Sequence, residues 1–88
     1  MFRLWARIFH DNHMICDTCV SDGSRDTRTH KVFRPLDEVC AQFDLGVPIW
    51  LDKTVAEFKR HKKVRFTQDN FIEGIDFDYL EIQVIEED

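Results

Sequence analysis

The feature that most restricts this chain is the strict alternation of residues 2–9. Phe2, Leu4, Ala6 and Ile8 fall on one side, and Arg3, Trp5, Arg7 and Phe9 on the other. A period of two belongs to a β-strand with one apolar face. A second run, His13 to Val20, follows a polar break at Asp11-Asn12. The two runs therefore form a hairpin, in which a slip of one residue would turn every side chain over. A two-residue loop sets Ile8 against Ile15 and Ala6 against Asp17, leaving a carboxylate among apolar neighbours. A three-residue loop, Asp11-Asn12-His13, pairs His10 with Met14, Ile8 with Cys16, Ala6 with Thr18 and Leu4 with Val20. One face then becomes apolar, and Arg7 meets Asp17 across the strands on the other. The pattern predicts the three-residue loop, with Asn12 tolerating the left-handed conformation it needs.

Ser21-Asp22-Gly23-Ser24 is a loop by its turn residues. Val32, Leu36, Val39, Cys40 and Phe43 share one helical face. Pro35 is cheap only in a first turn, so the helix begins near Arg34, or else Thr29 caps a longer, kinked one. Gly46 is its expected stop. Val47 to Leu51 runs extended around Pro48. Asp52 is the expected N-cap of a second helix over about 53–61, with Val55 and Phe58 inward. Lys63 to Thr67 is a strand that places Val64 and Phe66 together. Gln68 to Gly74 is a connection with room for one helical turn. Phe77 to Glu86 is the clearest strand, with Leu80, Ile82 and Val84 on one face and Phe77, Tyr79 and Ile85 on the other.

The expected order is β-β-α-α-β-β, an α+β fold whose antiparallel or mixed sheet of about four strands carries both helices on one face. All 88 residues fit a single domain. A chain of this size buries roughly 60–65% of its unfolded surface, enough for one core without staples. The run Met1 to Phe9 is broken by Arg3 and Arg7 and is too short for a signal peptide or membrane span. The cytoplasm is the default expectation, and three cysteines, an odd number, agree with reduced thiols.

Two stretches resemble parts of small uncharacterised bacterial proteins. They are Thr29-His-Lys-Val-Phe33 with its following helix, and Val64-Arg-Phe-Thr-Gln-Asp-Asn-Phe71 through Tyr79-Leu-Glu-Ile-Gln-Val84. The resemblance spans most of the chain and implies no activity, because that family has none assigned.

His10, His13, Cys16 and Cys19 recur every three residues, and His and Cys are zinc ligands. Inside a strand, however, residues three apart point to opposite faces, so Cys16 and Cys19 cannot share one ion and no metal site is expected. Ser21 and Ser24 lack a glycine elbow. Cys40 falls on the helix stripe and reads as core, since free cysteine is among the most buried residues. Asp76 and Asp78 read as a solvated strand end. No phosphate loop, dinucleotide fingerprint or calcium loop is present, so neither a cofactor nor an enzyme is expected.

Three surfaces remain. The net charge of −5 is segregated. Residues 53–65 carry Lys53, Lys59, Arg60, Lys62, Lys63 and Arg65 against Glu57, whereas residues 66–88 carry acids and no Lys or Arg. These segments either neutralise one another locally or form partner surfaces. In the second case Lys59, Arg60, Lys62, Lys63 and Arg65 would contact nucleic-acid phosphates, although the cations of a last helical turn are also explained by the helix dipole. An acidic C-terminal segment could instead imitate phosphates. The third surface is the uncovered sheet face, where Trp5, Phe9 and Ile15 project with Arg3 and Arg7, joined by Tyr79 and Phe77. Aromatic side chains with arginine are the composition of an interface centre. Either that face is open, or the loop carrying Trp50 or the connection carrying Phe71 and Ile72 folds over it. The reading reached is a non-enzymatic interaction module using Arg3, Trp5, Arg7, Phe9, Ile15 and Tyr79, as a homodimer or with another protein. The alternative is nucleic-acid association through the basic segment.

Overall fold

The computed structural model describes residues 1–87; Asp88, the last member of the acidic segment, lies outside them. Strands β1 (Phe2–His10), β2 (His13–Asp22), β3 (Lys63–Phe66) and β4 (Tyr79–Glu86) form one antiparallel sheet in the order β2-β1-β4-β3. Helices α1 (Arg28–Gln42) and α2 (Asp52–His61) and a 3₁₀ turn (Gln68–Asn70) complete the α+β chain. No helix among the described residues is long and apolar enough to cross a membrane.

The hairpin keeps the pairings that the apolar face requires. Ile8 pairs with Cys16, Ala6 with Thr18, Leu4 with Val20 and Arg7 with Asp17. The loop, however, holds two residues: His10 pairs with His13 and Phe9 with Met14, and a bulge shifts the register between Ile8 and Phe9. Asp11 and Asn12 both take positive φ, 52° and 65°, which is the turn whose twist matches the flanking strands. One extra residue, Ile15, then restores the apolar face.

The apolar side of the two central strands is the centre of the core. Leu4, Ala6, Leu80 and Ile82 are fully buried, together with Val64 and Phe66 of β3. From α1 the stripe Val32, Leu36, Val39 and Cys40 covers them. Of the two starts the sequence allows, near Arg34 or a longer helix capped by Thr29, α1 takes the longer form and begins at Arg28. Thr27 is the N-cap and accepts from the His30 amide, so Pro35 stands inside the helix. An interior proline costs about 3 kcal/mol, which burial of the aliphatic stripe offsets at roughly 1.5–3 kcal/mol per side chain. Phe77 precedes β4 and turns into the core, edge-on to Phe71 at 6.1 Å, which removes it from the outer face.

Both helix ends depart from expectation in instructive ways. The stop of α1 is Asp44 at φ 56°, two residues before Gly46. The Asp44 amide donates to the Ala41 carbonyl and the Leu45 amide to that of Cys40, the paired closure that needs one left-handed residue. Helix α2 takes Leu51 as its N-cap, with Asp52 in the first turn, and ends on Lys62 at φ 55°. A buried polar knot pins the intervening loop. The Asn70 amide group donates to the Ile49 carbonyl (2.9 Å) and to Thr54 Oγ1 (3.1 Å), and its oxygen accepts from the Thr67 amide.

Two outcomes follow from this architecture. Asp44→Gly relieves the left-handed strain and is expected to raise stability by about 0.5–1 kcal/mol in urea denaturation. The three thiols should separate by kinetics: Cys16 and Cys19 are exposed, while Cys40 is buried and its pKa is pushed up to about 11, by burial first and then by Asp37. Native protein should expose two fast thiols to a chromogenic disulfide reagent and release the third only on unfolding.

Candidate interaction face

Odd-numbered residues of β1 and β4 and their cross-strand partners build the second side of the sheet. Across its middle run Asp17, Arg7, Glu81 and Arg65, each directly opposite the next on neighbouring strands. The signs alternate, which is the favourable arrangement for facing side chains. Arg7 Nη2 lies 2.6 Å from Glu81 Oε1, and Arg65 Nε lies 2.9 Å from Glu81 Oε2. Glu81 is only 4% exposed although it points away from the helices. The hydrogen bond to Glu81 holds Arg65 more firmly protonated than usual. Arg7 also donates to Gln83 Oε1 at 2.9 Å, but its Nε is buried with no hydrogen-bond partner among the described residues.

Aromatic rings flank this row. The Arg7 guanidinium lies 3.9 Å from the centroid of the Trp5 ring, whose Nε1 donates to Asp17 Oδ2 at 2.9 Å. Phe9 and Tyr79 stack at 5.0 Å, and Arg65 sits over the Tyr79 ring at 4.6 Å. Cations over ring faces are attracted by the ring quadrupole and stiffen the arrangement. Met14, paired with Phe9, joins this face; the sequence register had missed it because the three-residue loop placed it against His10. Ile15, the bulged residue, is 57% exposed at the β2 edge, and Arg3 is exposed beside Glu86.

Neither proposed cover lies over this side. Trp50 is packed edge-on against Phe58 and Phe66 on the helical side, Phe71 is buried against Phe77, and Ile72 is 89% exposed. The face is open.

The basic segment is dispersed. Lys62 pairs with Glu87 and Arg65 with Glu81, so the acidic C-terminal segment neutralises part of it. Lys63 and Arg65 lie opposite Gln83 and Glu81 and so belong to the open face. Lys59 and Arg60 stay in the last turn of α2. Cys16 and Cys19, opposite Ile8 and Trp5, lie on opposite faces of the sheet, so the threefold His/Cys spacing brings no shared site. Sequence reasoning overlooked instead that His10, Asp11 and Asp78 converge, each with one ligand-capable atom within 4.8 Å of the others. All three are exposed, and Asp78 Oδ2 accepts the Asp11 amide while Oδ1 faces His10 Nδ1 at 3.6 Å, so turn closure accounts for the grouping.

No family model, no curated protein and no solved structure matches the chain.

Glu81 is the electrostatic centre of this face. Glu81→Ala leaves two arginines facing each other, one of them largely buried, and should cost about 2–4 kcal/mol in urea denaturation. Arg65→Ala, removing a partner that is 55% exposed, should cost under about 1 kcal/mol. Equal losses would mean that Glu81 does not organise the row.

Proposed function

We propose that this protein is a non-enzymatic interaction module that self-associates through its open sheet face. The observation that carries the reading is the state of that face. Trp5, Arg7, Phe9 and Tyr79 are stacked and half-buried as in an interior, yet no element among the described residues lies above them. Trp, Tyr and Arg are the residues that dominate binding energy at interfaces, and side chains held in place lose little entropy on binding.

Charge order favours a second copy as the partner. The row Asp17, Arg7, Glu81, Arg65 reads minus, plus, minus, plus. Reversed by a twofold axis parallel to the strands between β1 and β4, it faces its own copy with every sign opposed. Asp17 then meets Arg65 of the second copy, and Arg7 meets Glu81. Such an isologous contact needs no second surface. Two sheets packed face to face would bury Trp5, Phe9, Tyr79 and Met14, while the charges set the register.

Nucleic-acid binding is the second reading, favoured by Lys63 and Arg65 sharing this face with Tyr79. The ring faces that bases would stack on are already occupied by Arg7, Arg65 and the Phe9–Tyr79 stack, which weighs towards a protein partner.

Sedimentation equilibrium over a wide concentration range tests the proposal. The dimer mass is expected, with Trp5→Ala or the exposed-edge variant Ile15→Glu raising the dimer dissociation constant at least tenfold. Lys59→Glu with Arg60→Glu should leave it unchanged. A protein that stays monomeric at millimolar concentration sinks the idea. Salt-sensitive binding of a labelled single-stranded oligonucleotide, lost on Lys63→Glu, would support the second reading instead.

A further inference from the structure

On the opposite side of the molecule α1 and α2 do not close fully over the core. Between them is a groove of about 350 Å³, at the lower end of the range for small-molecule sites. Its floor is aromatic. Trp50 lies 6.1 Å from Phe33 and 5.5 Å from Phe58. Val32 and Val55 form the walls, and Arg28 and Lys59 stand at its edge. Among the described residues no acidic side chain lines it. Phe33, the one large apolar side chain of α1 that is not buried, is left 44% exposed.

The chain already brings a carboxylate to this edge. Glu87 Oε1 lies 3.2 Å from Arg28 Nη2, and the same carboxylate pairs with Lys62. Those cations hold Glu87 below the usual carboxylate range, the Lys62 hydrogen bond first. Lys59 has no ion pair among the described residues, so the groove has one committed and one uncommitted cation above an apolar floor.

We propose that the groove between α1 and α2 binds a small amphipathic carboxylate, its apolar body against Trp50, Phe33 and Phe58 and its charged end on Lys59 and Arg28. Lys59 supplies the first charge-assisted hydrogen bond. Arg28 can transfer from Glu87 to the ligand at little cost, because Glu87 keeps Lys62 as its partner. The charge pattern selects against neutral and cationic ligands of the same shape. This site is on the helical side of the sheet and does not depend on self-association through the other side.

Trp50 reports on it directly. The chain has two tryptophans, so Trp5→Phe makes the emission specific to the groove. Decanoate should shift that emission saturably, and decanol should bind about tenfold more weakly. Lys59→Gln should weaken decanoate by about tenfold and leave decanol unchanged. Lys63→Gln, outside the groove, should alter neither, and circular dichroism checks that each variant stays folded. The assignment fails if decanoate and decanol bind equally, if Lys59→Gln has no effect, or if no saturable shift occurs. It fails too if Trp50 responds to protein concentration alone, which would make a second copy the occupant. A shift produced by a Leu/Glu-rich helical peptide but not by decanoate would likewise assign the groove to an acidic protein segment.

Discussion

The antiparallel contact between β1 and β4 is the constraint on which the rest of this structure depends. It joins the two ends of the chain in the middle of the sheet, with Leu4 opposite Val84, Ala6 opposite Ile82 and Ile8 opposite Leu80. Because directly opposed residues share a face, one register determines both sides at once. The even-numbered residues form the floor of the core. The same pairing brings Arg7 to Glu81 on the outer side, and β3 then adds Arg65. A one-residue slip would destroy the core and the ion row together.

The two edges of the sheet are treated differently. The β3 edge is four residues long and carries Lys63 and Arg65, a short charged edge of the kind that discourages further pairing. The β2 edge is ten residues long, with Met14, Ile15, Cys16 and Cys19 exposed and no Lys, Arg or Pro. Its one protective device is the bulge at Ile15. The proposed association through the face that β2 borders would therefore use the less protected half of the sheet.

The hairpin shows how far reading a sequence can go. Between a two-residue and a three-residue loop, the sequence favours the longer one because only that register gives one consistently apolar face. The pairings of Leu4, Ala6, Arg7 and Ile8 came out as that preference required. The turn itself did not, because one bulged residue lets Asp11 and Asn12 form the tighter loop as well. A bulge leaves no periodic trace, since it is one residue out of phase. The burial of Glu81 was invisible for a related reason. In the sequence it is an acid on the outer side of a strand, and only the neighbours supplied by β1 and β3 cover it.

What the sequence determined by itself is the local geometry: four strands, two helices, their order, and which side chains within each element share a face. These follow from periods of two and 3.6, which depend on residues adjacent in the chain. The tertiary structure alone decided the strand order, the side of the sheet taken by Trp50 and Phe77, and the meeting of Phe33, Trp50 and Phe58 between the helices. Those features come from contacts between residues far apart in the chain. Their free energies are small and competing, and each is settled only when the whole core closes.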